Sequence, residues 1–286
     1  MSRRTEHSPR RPRRRRHGLA LGLSLFVPMV LGCLLVPVFW RHGANDLVAA
    51  PYLPPSREYP FGTDGTGRDL VARVFQGGRL DLLIAFVVVS LSLMVGTVVG
   101  VVSAMSRPWV DTTLMRFIDA LLSFPFLVLI LALTVVIGPV SEFGPFAAGS
   151  PAIIVAIVAV NWAVYARLAR AQAMSLRSRD FITAAGLLGY SRTRLLVRHL
   201  APNVVGVSGA YAASDAILVV VTTASLSFLG LGIQPPTAEW GSIMFEGRAV
   251  LATSWWITVM PGIALACTGV GLSLIADSLV DRGARR

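Results

Sequence analysis

Long apolar runs alternate along the 286-residue chain with short polar stretches in which the arginines collect. Six runs stand out, Leu19 to Val38, Leu82 to Ser103, Leu114 to Val140, Ala152 to Leu168, Val204 to Ala224 and Trp255 to Ile275. Each approaches the roughly 20 apolar residues with which an α-helix crosses ~30 Å of hydrocarbon. Backbone inside a bilayer has to satisfy its own amides and carbonyls, so these runs predict helices. The pattern therefore predicts an all-α integral membrane protein with six transmembrane helices. Residues 1–18 form an arginine-rich tail, 19–38 a first span, 39–81 an outer connector, 82–280 a five-helix core and 281–286 a second tail. Within the connector, Pro51, Pro54, Pro55 and Pro60 argue for extended chain rather than a domain.

Composition agrees with the pattern. Hydrophobic residues make up 54% and charged residues 14%, with a mean hydropathy of +0.67. That excludes a disordered chain and leaves too little polar material to cover a soluble domain. The net charge of +11 comes from 26 basic residues, every one an arginine. If the N-terminal tail is cytoplasmic, twenty arginines lie on the cytoplasmic side and six outside, as the positive-inside rule requires. The charge thus records orientation, with lipid as partner and no nucleic acid. A basic tail before an apolar run also describes a secretory signal, with Cys33 as the processed start. The run continues past Cys33 to Phe39, a full spanning length, which favours an uncleaved first span.

No catalytic constellation is visible. Cys33 and Cys267 each sit in an apolar run and read as packing residues, not as a disulfide framework. Without lysine there is no phosphate-binding P-loop. His7, His17, His42 and His199 have no metal-ligand spacing. The chain is expected to carry no cofactor, no metal and no enzymatic activity, so its driving chemistry must come from a partner or an ion gradient.

The stretch 180–203, DFITAAGLLGYSRTRLLVRHLAPN, carries the most information. Phe181 to Leu188 is compatible with a helix, Gly189 with its stop, and Ser191 with the N-cap of a second, basic helix. Pro202 is tolerated in the first turn of the fifth span. Ala184, Ala185 and Gly186 offer a small-residue face for close entry into another protein's groove. A loop held on lipid headgroups by its arginines is the plainer alternative. A nucleic-acid-binding helix-turn-helix fails, because both ends are tethered to spans.

This stretch resembles the cytoplasmic loop of bacterial ABC-importer permeases, whose pattern is E-A-A, three residues, Gly, nine residues, then I-x-L-P. Thr183-Ala184-Ala185, Gly189 and His199-Leu200-Ala201-Pro202 fall at that spacing. Arg198-His199 and Pro202-Asn203 are similar to the dipeptide, oligopeptide and nickel branch. Three further strings resemble family boxes in the family's order: YPFGTDGTGRDLVARVFQGGRLDL (59–82), RFIDALLSFPFLVL (116–129) and ASLSFLGLGIQPPTAEWG (224–241). Departures are Thr183 for glutamate, Ala201 for leucine, Thr223 where many members have glutamate, and Ala238 for proline.

The resemblance implies a type I importer permease fold with a cytoplasmic coupling helix, in a bacterial cell membrane with both termini cytoplasmic. It implies a homologous second permease, two ATP-binding subunits that hold ATP and Mg, and an extracytoplasmic substrate-binding protein. The cargo would be a di- or oligopeptide, nickel or another small solute. ATPase coupling would fall to Thr183, Ala184, Ala185, Gly189, Tyr190, Ser191 and Pro202. A secondary transporter that works without ATP is the competing class.

Two other regions bear on transport. Gly62, Gly65 and Gly67 surround Thr63-Asp64 in a tight outer turn, with Arg68 and Asp69 expected as an ion pair. Asp64, Arg68, Asp69, Phe228 and Gln234 are candidates for extracytoplasmic docking or gating, while a structural staple would use the turn equally well. In the fifth span Ser208, Tyr211, Asp215 and Thr222, spaced three, four and seven apart, fall on one stripe at ~100° per residue. A carboxylate in the bilayer is costly and by default functional. The stripe either lines the translocation path, where Asp215 would meet a peptide's ammonium end, or forms a buried network with a partner permease. Arg116 and Asp119 are expected to pair across one turn.

Overall fold

The computed structural model describes residues 13–138, 140–177 and 201–283, and these are helical apart from turns and isolated bridges. Helix α1 spans Arg13–Phe39, with Pro28 and Pro37 inside it. It packs along the final helix, α8 (Trp256–Gly283), where the backbones close up at a pair of glycines. A Cβ on Gly22 would stand 2.9 Å from the Gly271 carbonyl.

Helix α2 runs from Leu70 to Met105, 36 residues. At 1.5 Å per residue it is about 54 Å long, well beyond the hydrocarbon core. It starts twelve residues before the apolar run because Asp69 caps it, its carboxylate accepting from Val71 N at 2.9 Å. The turn before that cap depends on Gly67, whose φ of +85° suits glycine, and a Cβ there would lie 2.1 Å from the Ala49 carbonyl.

The third apolar run does not form one straight helix. It divides into α3 (Pro108–Ser123) and α4 (Phe126–Ile137), bent by 91°. Pro125 supplies the reason: it lacks an amide donor and biases the preceding residue away from helix, and Phe124 is extended at φ −76°, ψ 144°. Among the described residues five helices are long and apolar enough to span, or six when the bent pair is counted as one broken span.

Helix α5 (Ser150–Arg177) forms its most extensive contact with α2. Two small positions one turn apart let the backbones touch, because a Cβ on Gly96 would lie 2.4 Å from the Trp162 carbonyl and one on Gly100 2.2 Å from the Ala166 carbonyl. Helix α6 (Ala201–Phe228) packs on α2 and α8, with Pro202 in its first turn. A short helix, α7 (Trp240–Gly247), then leads through a 3₁₀ turn to α8.

The main core draws on α2 (Leu70, Ile84, Val88), α5 (Ile153, Ile157), α6 (Val219, Leu226) and α7 (Trp240, Ile243). Large apolar side chains also stay exposed on the outer faces, among them Leu34 and Val38 of α1, Phe86 and Val98 of α2, and Val128 and Val136 of α4. An apolar surface of this extent belongs against lipid or another subunit.

Candidate functional site

At the end of the bundle that carries the connector between α1 and α2, the turn 62–69 closes around Asp64, which is wholly buried. Asp64 Oδ1 accepts from Thr66 N and Oγ1 at 2.8 Å each and from Arg68 N at 3.0 Å. Its Oδ2 accepts from Arg68 Nε at 2.6 Å and lies 3.3 Å from Arg73 Nη1. Both guanidiniums also reach Glu246 on α7, Arg68 at 3.3 Å and Arg73 at 3.1 Å. Burial alone would raise the Asp64 carboxyl, but the Arg73 charge and the bonds from Arg68 and Thr66 hold it below the usual carboxylate range. Burial wins at Glu246 and pushes its carboxyl up, against the pull of Arg73 and Arg68.

The expected Arg68–Asp69 pair is therefore replaced. Arg68 turns back to Asp64, and Asp69 caps α2 while accepting from Trp40 Nε1 at 2.9 Å. His42 Nδ1 lies 3.0 Å from the same carboxylate oxygen of Asp69. Phe228 ends α6 and is partly exposed. Gln234 donates from Nε2 to the carbonyls of Gly230 and Gly232 at 2.9 and 3.3 Å. It lines a cavity of about 510 Å³ bounded by Thr134 and Gly138 of α4, Gly149 before α5, and Pro235.

Beneath α7 lies a second buried acidic pair. Glu239 caps α7 by accepting from Gly241 N and Ser242 N at 2.8 and 2.7 Å, and burial raises its carboxyl. Asp81 of α2 accepts from Trp240 N at 3.2 Å. Gly77 lets these elements meet, since a Cβ there would stand 3.0 Å from Glu239 Cα.

Midway along α6, Asp215 is only 2% exposed. Its Oδ2 accepts from Asn161 Nδ2 at 2.7 Å and from the Tyr165 hydroxyl at 2.8 Å, both on α5 of the same chain. Tyr211 meets Tyr165 edge to face at 5.4 Å. Ser208 and Thr222 are buried too, and neither Ser208 Oγ nor Asp215 Oδ1 finds a hydrogen-bond partner among the described residues. In this conformation Asp215 and Tyr211 of the stripe face α5.

At the opposite end the expected Arg116–Asp119 pair is not formed among the described residues. Asp119 instead pairs with Arg167 of α5, and Asp111 pairs with Arg170. The coupling candidates Thr183, Ala184, Ala185, Gly189, Tyr190 and Ser191 lie outside the described residues, and Pro202 is described only as part of helical backbone.

Sequence reasoning missed Arg73, Glu246, Asp81, Glu239, Asn161 and Tyr165. For the last two a signal existed: both are polar, one turn apart, inside an apolar run. Glu246 gave none, since 173 residues separate it from Arg73.

Apolar helices long enough to span, one bent pair broken at a proline, and polar groups buried between helices make the architecture of an all-α integral membrane protein. The profile of the family described as "Binding-protein-dependent transport system inner membrane component" matches residues 96–286, and the chain belongs to that family. It is 36% identical over 271 residues to a protein of Brucella suis biovar 1 named as a peptide transport system permease, covering 93% of this chain and 87% of that one. A second Brucella suis protein, named as a peptide permease, is 35% identical over 91% of this chain and 84% of its own length. A D,D-dipeptide transport system permease protein of Escherichia coli K12 is 36% identical over 90% of this chain and 84% of its own.

Proposed function

We propose that this chain is the transmembrane permease subunit of an ATP-driven importer of di- or oligopeptides, forming half of the translocation path. The observation that carries this reading is similarity over about nine-tenths of the chain to relatives named as peptide or dipeptide permeases. A homologous permease supplies the other half of the path, and an extracytoplasmic binding protein delivers the peptide. Two ATPase subunits hold ATP and Mg and do the hydrolysis. Both termini lie in the cytoplasm.

Mechanistically, the loop 180–203 docks in the ATPase groove through Ala184, Ala185 and Gly189, with Thr183, Tyr190, Ser191 and Pro202 framing it. Closure of the ATPases then moves the helices as rigid bodies between inward-open and outward-open states. The buried Asp64, Arg68 and Asp69 hold the outer turn in shape beneath the surface met by the binding protein, to which the exposed Phe228, and Gln234 at the 510 Å³ cavity, contribute. Because Ser208, Asp215 and Thr222 are buried against neighbouring helices, Asp215 meets a substrate ammonium group only in a state in which α6 has moved off α5.

The test is reconstitution with the neighbouring permease, ATPases and binding protein. Wild-type vesicles should take up labelled dipeptide and hydrolyse ATP faster when loaded binding protein is added. Gly189→Trp should insert normally but lose that stimulation. Uptake without ATP would overturn the reading in favour of a secondary transporter, and uptake of nickel but not peptide would overturn its substrate.

A further inference from the structure

The stretch between α5 and α6 joins the membrane part through those two helices, and α5, whose described end is Arg177, is the one packed against α3. Arg170 stands seven residues before that end, about 10 Å along the helix axis. Its guanidinium grips Asp111 in a two-point fork, with Nε 2.6 Å from Oδ1 and Nη2 2.5 Å from Oδ2. Ser103, near the end of α2, donates its hydroxyl to the same Oδ1 at 2.6 Å. Asp111 lies in the first turn of α3, where a carboxylate is further favoured by the helix dipole. One turn back on α5, Arg167 pairs with Asp119, but both of those side chains are more than half exposed, against 27% and 17% for Arg170 and Asp111.

The apolar packing around this fork is uneven. The α2–α5 crossing is closed backbone to backbone at Gly96 and Gly100, with Ala169 and Ala173 buried against Val101 and Ala104. Those two helices can move only together. Helix α3 has a single buried residue, Ile118, seated on Ala163 and Ala166 of α5. Leu114, Met115, Leu121 and Leu122 pack around it only partly buried, and the charged fork is the more enclosed of the two ion pairs that tie α3 to α5. Beyond α3 the chain turns through 91° into α4, whose far end supplies Thr134, Val135 and Gly138 to the outer cavity.

We propose that the Arg170–Asp111–Ser103 fork is the joint through which α5 drives the α3–α4 elbow during transport, making Arg170 and Asp111 positioning residues for coupling. The inference rests on the importer reading above. A joint of this kind needs geometry as well as charge: lysine keeps the charge but offers a point rather than a planar fork.

The experiment uses the complete transporter in proteoliposomes, with peptide uptake and ATP hydrolysis measured on the same vesicles. In Arg170→Lys and Asp111→Asn, uptake per ATP is expected to fall about tenfold while hydrolysis stays within about twofold of wild type. The exchange Asp111→Arg with Arg170→Asp should recover at least about half of the wild-type ratio, and Arg167→Ala, in the exposed pair, should leave it unchanged. Two results would overturn the joint: an unchanged ratio in both single variants, or uptake and hydrolysis falling in proportion, which marks a packing contact only. If wild-type vesicles themselves show no ATP-dependent uptake, the importer reading fails instead, so the two failures are distinct.

Discussion

The outer charge cluster places two carboxylates beside the same two arginines in opposite electrostatic situations. Asp64 is fully buried and held low by Arg73 and its local hydrogen bonds, whereas burial dominates at Glu246 and holds it high. Removing the Asp64 charge leaves Arg68 and Arg73 facing Glu246 alone. Asp64→Asn should cost about 3 kcal/mol, read as a lowered Tm of the detergent-solubilised protein, because a buried pair broken on one side leaves uncompensated charge. An acid whose folded pKa is depressed contributes stability above its unfolded pKa, and loses it as pH falls through the folded one. The Asp64 contribution should therefore persist at mildly acidic pH and vanish only below the usual aspartate range. For Glu246 the sign reverses, since the folded protein binds its proton more readily than the unfolded chain does. Its ionisation costs stability at neutral pH. The gap in Tm between Glu246→Gln and wild type should then shift in favour of the variant as pH rises through the raised Glu246 value, because the variant has no carboxylate to ionise. A gap of constant size over that range would show that Glu246 does not titrate within this cluster.

At the scale of elements, the α2–α5 crossing and the α3–α4 bend decide which parts move together. The clash at Gly96 and Gly100 is with backbone carbonyls, which cannot rotate away as a side chain can. Gly96→Ala and Gly100→Ala should each destabilise by roughly 1–3 kcal/mol. Either one already pushes the helices apart, so the double variant should cost less than the sum, read from denaturant unfolding in a double-mutant cycle. Full additivity would mean that the two contacts open independently. All six apolar runs correspond to helices, because hydropathy over twenty residues is what the bilayer itself selects. Two features escaped that reading for physical reasons. The first twelve residues of α2 include Arg73, Gln76, Gly77, Gly78 and Arg79, which look like connector until α7 covers them and Glu246 meets Arg73. Pro125 sits in so apolar a run that window averages pass over it, yet its missing amide donor breaks the helix. Motif resemblance located the outer turn, and helical spacing located the α6 stripe. Partners such as Asn161 and Tyr165 for Asp215, or Arg170 for Asp111, depend on which helices cross, and no local pattern encodes that.

For the molecule as a whole, the placement of its 26 arginines makes orientation the decisive property. The Arg167 and Arg170 pairs with α3 gather at the end next to the arginine-rich loop, while Trp40, Trp255 and the buried Asp64 cluster occupy the other. In the orientation proposed above, which rests on positive-inside asymmetry, the first of these ends lies in the cytoplasm, within reach of the proposed ATPase subunits. Two exposed side chains report on it directly: Leu47, 74% exposed in the segment after α1, and Trp109, 66% exposed at the start of α3. Cys33 is buried, and Cys267 is replaced by alanine to remove background. In sealed right-side-out membrane vesicles a membrane-impermeant maleimide should label Leu47→Cys at once. Trp109→Cys should stay unlabelled until the vesicles are permeabilised. The reverse pattern would put the loop 180–203 and the α3–α5 fork on the outer face, out of reach of any ATPase, and would remove both the coupling mechanism and the joint built on it.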